Sequence, residues 1–171
     1  PSRPPLSSSS AASEGYKRQR QYFYWDKGSR SGEVVLKLFS GYQGALQTDG
    51  YERYELLDAS KGIMLLACWA HARRKFSDAI KNDKERAESA LDQIQLLYEV
   101  ERQIKDQSLT FEQAAKLRER LAYPIMVRFE KWLVAENAKV IKGSPIEKAI
   151  LYTYNRFNKL SRYHLDGRYN I

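Results

Sequence analysis

The stretch IMLLACWAHARRKF, residues 63–76, combines two patterns that indicate the fold class. Its opening segment, residues 63–67, is entirely apolar, which is typical of a strand buried on both faces. From residue 69 onward the apolar residues recur at the spacing of a helix face. The members of that face are Trp69, Ala72, Phe76, Ala79 and Ile80. A buried strand followed directly by an amphipathic helix predicts an α/β core.

Strand and helix patterns also alternate in the residues before this stretch. Residues 22–25 (YFYW) and 45–48 (ALQT) favour strands. Short helices are predicted within residues 31–41 and around residues 51–57. We therefore expect the strands at 22–25, 45–48 and 63–67 to share one mixed sheet, with helices between them.

Composition limits the class of protein. The 171 residues are 43% hydrophobic, enough for one core with an attached helical unit. Residues 1–15 are rich in Pro and Ser, and we expect residues 1–20 to be disordered. No apolar run approaches a membrane span, no signal peptide opens the chain, and the single cysteine, Cys68, excludes an internal disulfide. These features predict a cytoplasmic protein without a membrane partner.

Four helices are predicted in the second half of the chain. Their start signals are capping pairs that begin at Asn82 and Thr110, Pro124 in a first turn, and Ser144. Short connections favour antiparallel neighbours, so the four helices predict a bundle. The predicted division is a disordered segment at 1–20, an α/β core at 21–82, a helical bundle at 83–162, and the start of a segment returning to the core at 163–171.

The net charge of +8 is unevenly distributed. Residues 61–82 carry five Lys or Arg and one acid, and residues 123–171 carry nine and four. In the first of these segments, Arg73, Arg74 and Lys81 are expected on a helix face different from the apolar one. Such a face can bind DNA phosphates without sequence preference, or it can be an ordinary solvated surface.

A single carboxylate follows the strand at 45–48, in LQTDGY, residues 46–51. Asp49 would lie at the carboxyl edge of the sheet, where α/β folds place functional groups, and Gly50 would leave room beside it for a metal ion or a backbone segment. Alternatively, Asp49 caps the helix that starts near Tyr51, which on spacing alone is the more common role.

Cys68 and His71 form a second candidate site. On a helix they would be i and i+3 and project from one face. A structural zinc site needs four ligands, however, and the chain has one other histidine and no other cysteine. We therefore do not expect zinc within this chain. Cys68 is more simply a small buried residue, and the role of His71 stays open.

Four segments in this order resemble the insertion-sequence 66 family of bacterial transposases. They are SRSGEV, GYQGALQTDGYERYE, CWAHARRKF and SPIEKAILYTYNRF. The resemblance runs from about Gln21 to Ile171, nearly all of the chain outside its low-complexity start. LQTDGY followed by C-x-A-H-A-R-R-x-F is far more specific than a lone short motif.

The resemblance implies a ribonuclease H-like fold with an Asp-Asp-Glu triad and a helical insertion before the glutamate. Asp49 then corresponds to the second aspartate, a catalytic residue and Mg²⁺ ligand, and residues 83–162 to the insertion. The family's first aspartate belongs to a strand before Tyr22, and its glutamate to an Asn-rich stretch shortly after Ile171. Asp26 ends the wrong strand to replace the first aspartate. With one acid of three, the chain alone is expected to be inactive.

The implied function is DNA transposition by metal-dependent phosphoryl transfer, with transposon ends as the DNA partner and Mg²⁺ as the cofactor. Two other interpretations stay open. The chain is either a decayed remnant that keeps only nonspecific DNA affinity, or an interaction module whose bundle binds another protein. The sequence also leaves a homo-oligomer open.

Overall fold

The computed structural model describes residues 32–58 and 62–171. The predictions for the disordered start, the strand at 22–25 and Asp26 lie outside the described residues. The α-helices are α1 (Gly32–Leu38), α2 (Trp69–Ala79), α3 (Lys84–Asp106), α4 (Phe111–Leu117), α5 (Tyr123–Asn137), α6 (Pro145–Asn155) and α7 (Phe157–Ser161). The strands are β1 (Gly44–Thr48) and β2 (Ile63–Ala67). Two 3₁₀ helices (Glu52–Leu57 and Arg162–Leu165) and a π-helical turn (Arg118–Ala122) complete the described elements. Within these residues no helix is long and apolar enough to cross a membrane.

The two strands pair in parallel, with Gly44 opposite Ile63 and Thr48 opposite Ala67. Both strands were predicted at these positions. Parallel strands need a crossover connection, and here it contains the 3₁₀ helix Glu52–Leu57, where the sequence predicted a short helix. The described part of the chain is therefore a mixed α/β structure, mostly helical, with a two-stranded parallel sheet.

Successive residues of β2 contribute to two hydrophobic clusters. Leu65, 1% exposed, packs with Val35 of α1 and Leu57 of the 3₁₀ helix. Leu66, also 1% exposed, joins the larger core on the other side. Burial on both faces is thus confirmed for the carboxyl half of β2, whereas Met64 nearer its start is 38% exposed.

The larger core continues from β2 into the helical bundle. The predicted stripe on α2 is confirmed, since its first four members are at most 1% exposed. The indole Nε1–H of Trp69 donates to the carbonyl of Leu160 at 3.0 Å, and its ring stacks on Phe129 with centroids 6.0 Å apart. The predicted division at residue 82 therefore falls within one continuous hydrophobic cluster.

Two of the predicted helix starts have the expected hydrogen bonds. The backbone N–H of Thr110 donates to Gln113 Oε1 at 2.9 Å, and the backbone N–H of Gln113 donates to Thr110 Oγ1 at 3.3 Å, which forms a capping box. Before α6, Ser144 Oγ accepts the backbone N–H of Glu147 at 3.2 Å.

The predicted cap at Asn82 is wrong by one residue. Asp83 caps α3, because its Oδ1 accepts the backbone N–H of Arg86 at 3.1 Å. The Asn82 side chain instead accepts the backbone N–H of Ile146 at 3.2 Å, which joins the start of α3 to the start of α6. A contact between distant helices thus determines which of two adjacent capping residues is used.

Pro124 lies in the first turn of α5, as predicted. The expected connection before this helix is missing, however, because Ala122 has helical angles (φ −78°, ψ −40°), so α4, the π-helical turn and α5 form one continuous rod. Within the turn the N–H of Tyr123 bonds the carbonyl of Arg118, five residues back. Pro124 has no N–H to donate, and the widened turn accommodates the interrupted α-helical bonding pattern.

Arg118, at the start of the π-helical turn, is 2% exposed. It binds Glu101 of α3 through two parallel hydrogen bonds of 2.8 and 2.7 Å. A third nitrogen donates to the carbonyls of Tyr163 and Asp166 at 3.0 and 2.9 Å. One buried guanidinium therefore joins the turn, α3 and the C-terminal residues.

Candidate functional site at the carboxyl edge of the sheet

The parallel register brings two sequence-predicted residues to the same edge of the sheet. Thr48 pairs with Ala67, so the following residues, Asp49 and Cys68, both lie at the carboxyl ends of their strands. Asp49 is exposed, whereas Cys68 is half-buried. The structure therefore places Asp49 at the sheet edge where the sequence predicted a functional carboxylate.

The side chain of Asp49 makes a local hydrogen bond. Its Oδ1 accepts the backbone N–H of Tyr51 at 2.9 Å, just before the 3₁₀ helix begins. The N–H of Gly50 bonds the hydroxyl oxygen of Thr48 at 3.4 Å. One carboxylate oxygen thus closes an Asx-turn, and the side chain remains exposed to solvent. The N-cap position of the 3₁₀ helix is occupied by Tyr51, without a capping side-chain hydrogen bond, so the helix-cap role given as the alternative is not observed.

The space beside Gly50 is filled by side chains. Its φ of +81° favours glycine, and a Cβ there would lie 2.4 Å from Arg156 Nε and 3.2 Å from Tyr152 Oη. The expectation that Gly50 leaves room for a metal ion or a backbone segment is therefore wrong. The helical bundle reaches this point through α6.

Tyr152 of α6 and Arg156, which follows the end of α6, donate hydrogen bonds to successive carbonyls of the Asp49 loop. Tyr152 Oη donates to the carbonyl of Asp49 at 2.8 Å, and Arg156 Nη2 donates to the carbonyl of Gly50 at 2.8 Å. The guanidinium lies 4.3 Å from the centroid of the Tyr152 ring. Burial raises the pKa of Tyr152, an effect that Arg156 opposes and the Asp49 carboxylate reinforces, so the phenol stays a donor at neutral pH.

Two further cations near the end of the bundle bind the connection between the strands. Lys159 forms ion pairs with Glu55 and Asp58, and Arg162 Nη1 donates to the carbonyl of Leu65 at 2.8 Å. Both cations therefore make internal contacts.

The described residues do not form a metal site by themselves. Among residues 32–58 and 62–171 no group of three or more His, Cys, Asp or Glu lies close enough to hold a metal ion. Asp49 thus belongs to no such group within these residues, which does not match the ligand number of a two-magnesium site.

Cys68 and His71 are not arranged as the sequence predicted. Cys68 has extended backbone angles (φ −101°, ψ 123°) and precedes α2 as its N-cap residue, so it lies outside the helix on which the sequence placed it. Its carbonyl still accepts the backbone N–H of His71 at 3.2 Å in the first turn. Cys68 is half-buried and His71 is exposed.

The predicted basic face is divided. Arg73 and Arg74 are exposed on α2, whereas Lys81 lies beyond the end of the helix and is not part of that face. Arg73 lines a groove of about 550 Å³ between α2 and α3, which we call the α2–α3 groove. Its lining residues are Ala70, Arg73, Gln95, Tyr98, Glu101, Arg102 and Lys105.

Sequence reasoning missed two cations of this groove, Arg102 and Lys105. They lie in a segment with more acids than bases, so its total charge did not mark them. Their spacing of three on α3 was the available signal, because residues three apart share a helix face. The acid of the groove, Glu101, is bound by Arg118.

Comparison with known proteins identifies a family and several relatives of the chain. A family model described as Transposase IS66 family matches residues 8–171. Three uncharacterized proteins of Sinorhizobium fredii, y4hP, y4jD and y4qI, are each 31% identical to the chain. The alignments cover 85%, 84% and 83% of the chain but 29%, 29% and 28% of these relatives. The chain therefore spans less than a third of their length, and no solved structure matches it.

Proposed function

This chain belongs to the IS66 family of transposases, and on that premise we propose that it is part of a catalytic core for phosphoryl transfer on DNA. Asp49 is the proposed catalytic residue. The observation that carries the proposal is the position of its exposed carboxylate, at the shared carboxyl edge of two parallel strands. In open α/β sheets this edge is where functional groups gather.

The proposed core is ribonuclease H-like, with residues 83–162 as a helical insertion and residues 163–171 returning toward the sheet. A contact between β1 and the C-terminal residues supports this arrangement, since Gln47 Nε2 donates to the carbonyl of Asn170 at 3.1 Å. A segment that follows Ile171 in a longer relative would start close to the strand that carries Asp49.

Asp49 is also the proposed Mg²⁺ ligand of this segment, with the remaining carboxylates supplied from outside the described residues. Mg²⁺ would stabilise the negative charge that develops at the transferred phosphate. Because no three potential ligands among the described residues lie close enough to hold a metal ion, we propose that the chain does not cleave DNA on its own.

The proposed DNA contact is the α2–α3 groove together with Arg74. Arg73, Arg102 and Lys105 are exposed cations that can contact phosphate oxygens without reading bases. Glu101 opposes them weakly, because its carboxylate is already bound by Arg118.

The proposal is tested by Asp49→Asn in a longer family member that carries three catalytic acids. The exchange keeps the shape and the ability to accept the backbone N–H of Tyr51, but it removes the charge that a metal ligand needs. We expect cleavage of transposon-end DNA to be abolished and DNA affinity to be retained. Asp78→Asn, an exposed acid on α2, is the matched control. Wild-type cleavage by the Asp49 variant would leave Asp49 with a turn-forming role only and overturn the proposal.

A further inference from the structure

We propose that Tyr152 and Arg156 are positioning residues, which fix the Asp49 loop so that its carboxylate is held in one orientation. The inference rests on the proposed function of Asp49. Its basis is that the two side chains donate to two successive carbonyls, those of Asp49 and Gly50, each at 2.8 Å.

These two hydrogen bonds restrict the two peptide units on either side of the Cα of Gly50. Because each peptide unit is planar, a hydrogen bond to its carbonyl also limits the direction of its N–H. On the other side of the loop, Asp49 Oδ1 accepts the N–H of Tyr51 at 2.9 Å. The backbone held by α6 therefore carries the carboxylate, and the carboxylate is bonded to the next part of the same loop.

Tyr152 and Arg156 also fix each other. The guanidinium of Arg156 lies 4.3 Å from the centroid of the Tyr152 ring, and its Nη1 donates to the carbonyl of Tyr152 at 3.4 Å. Gly50 permits this approach, since a Cβ there would lie 2.4 Å from Arg156 Nε. That Nε is buried and has no hydrogen-bond partner among the described residues. Buried nitrogen atoms without a hydrogen-bond partner are rare in proteins, and the contact of Arg156 with the Asp49 loop explains why this one is tolerated.

Packing alone accounts for the attachment of α6 to the protein. Its apolar side is formed by Ile146, Ala149, Ile150 and Thr153, which are at most 2% exposed. The helix would therefore stay in place without the contacts from Tyr152 and Arg156. This separates a positioning role from a general structural one, because the contacts can be removed while the core packing of α6 is kept.

The first measurement uses this chain and does not depend on catalysis. Tyr152→Phe and Arg156→Gln each remove one carbonyl contact, and we expect amide hydrogen exchange at Gly50 and Tyr51 to become about 10-fold faster or more. Tyr154→Phe and Lys148→Gln alter exposed residues of the same helix and should leave exchange unchanged. Unchanged exchange in both test variants would overturn the inference.

The second measurement uses a longer relative with residues that match Asp49, Tyr152 and Arg156. We expect single-turnover cleavage at saturating DNA to fall about 10- to 100-fold in the Tyr152 and Arg156 variants, since small displacements of a catalytic group have effects of this size. DNA affinity and melting temperature should stay close to those of the parent. A purely structural role would instead lower the melting temperature and the rate together.

The outcomes separate this inference from the proposal on which it rests. If the Asp49→Asn variant is inactive and the Tyr152 and Arg156 variants cleave at the parent rate, the positioning role is wrong and the role of Asp49 stands. If the Asp49→Asn variant cleaves normally, both fail, even where hydrogen exchange shows that α6 holds the loop. A parallel loss of melting temperature and rate would also overturn the positioning role.

Discussion

The side-chain amide of Gln47 donates a hydrogen bond to the backbone carbonyl of Asn170, with 3.1 Å between the nitrogen and the oxygen. The same nitrogen lies 3.5 Å from the carbonyl of Ala67, a longer and weaker contact. Gln47, which lies two positions before Asp49, thus connects β2 to the C-terminal residues. Tyr169 and Ile171, on either side of Asn170, pack against the main core.

Replacement of Gln47 by Leu should release these C-terminal residues. Leu is similar in size but has no donor, so the carbonyl of Asn170 loses its protein partner. We expect faster hydrogen exchange at the amides of residues 169–171 and a loss of about 1 kcal/mol in the free energy of unfolding. Gln103→Leu, at an exposed position on α3, is the control. Equal exchange in both variants would show that Gln47 does not hold this segment.

Removal of either partner of the buried Arg118–Glu101 pair should strongly destabilise the protein. Arg118→Met leaves Glu101 uncompensated, and Glu101→Gln leaves a buried guanidinium without its counter-ion. We expect each to lower the free energy of unfolding by about 3–5 kcal/mol, measured by urea unfolding.

The matched control for this pair is Lys116→Met, which breaks an exposed pair with Glu112 one turn away. Exposed pairs of this spacing contribute about 0.3–0.5 kcal/mol. The combined Arg118→Met and Glu101→Gln variant should lose less than the sum of the two single losses, because no charge is left unpaired. Additive losses would contradict the ion-pair explanation.

Gly167→Ala tests the close contact between the C-terminal residues and the start of α4. An added Cβ would lie 1.9 Å from the carbonyl oxygen of Phe111, which is backbone and cannot move aside easily. We expect a loss of more than about 2 kcal/mol, as for other severe overpacking. In Gly143→Ala the Cβ has open space but φ is +80°, so the loss should stay near about 1 kcal/mol. Equal urea midpoints for the two variants would argue against the clash.

The Asp83–Arg86–Glu136 network should make the free energy of unfolding depend on pH in the acidic range. The hydrogen bond from Arg86 lowers the pKa of Asp83, and hydrogen bonds from Lys139 and then Arg86 lower the pKa of Glu136. A carboxylate with a lowered folded pKa stabilises the fold above its unfolded pKa, and this stabilisation is lost as pH falls through the folded value. The loss therefore begins near pH 4 and continues below it.

Arg86→Met should reduce this pH dependence. The variant is expected to be less stable than the parent at pH 7 and to differ less from it at pH 2–3, where the carboxylates are protonated. Urea unfolding at the two pH values measures the difference. Glu88→Gln, which changes an exposed acid on α3, is the control. If the parent and the Arg86 variant differ in free energy of unfolding by the same amount at both pH values, the proposed linkage is contradicted.

The α2–α3 groove can be tested through the salt dependence of DNA binding. Arg73→Ala combined with Lys105→Ala should weaken binding to duplex DNA and flatten the plot of log K against log salt by about 2, roughly 0.9 for each lost phosphate contact. The same comparison for Arg74→Ala tests the other exposed arginine of α2. Arg128→Ala, exposed on α5, serves as the control. An unchanged slope would indicate that the groove is an ordinary solvated surface.

Local sequence patterns were sufficient to predict those parts of the fold that short-range hydrogen bonding or burial determines. The strands at 45–48 and 63–67, the stripe on α2 and the capping box at Thr110 were all predicted from neighbouring residues. The position of Asp49 followed as well, because the end of a parallel strand fixes the sheet edge where the next residue lies.

Contacts between distant segments were not predictable from those patterns. Asn82 and Asp83 have equivalent capping chemistry, and the contact of Asn82 with Ile146 decided between them. Sequence alone also does not show that carbonyls of the Asp49 loop and β2 accept the hydrogen bonds of Arg156 and Arg162.

The π-helical turn before Pro124 also determines which sides of α4 and α5, the two parts of the rod, face the core. Ala114 near one end and Leu133 near the other are both buried in the same core. An unbroken α-helix from position 114 to position 133 would rotate about 100° beyond five whole turns, which would direct one of them away from that core. The wide turn absorbs this excess rotation. With a single residue deleted between 118 and 122, a regular α-helix would make about five whole turns over this distance, so its two halves would still face the core together without the wide turn.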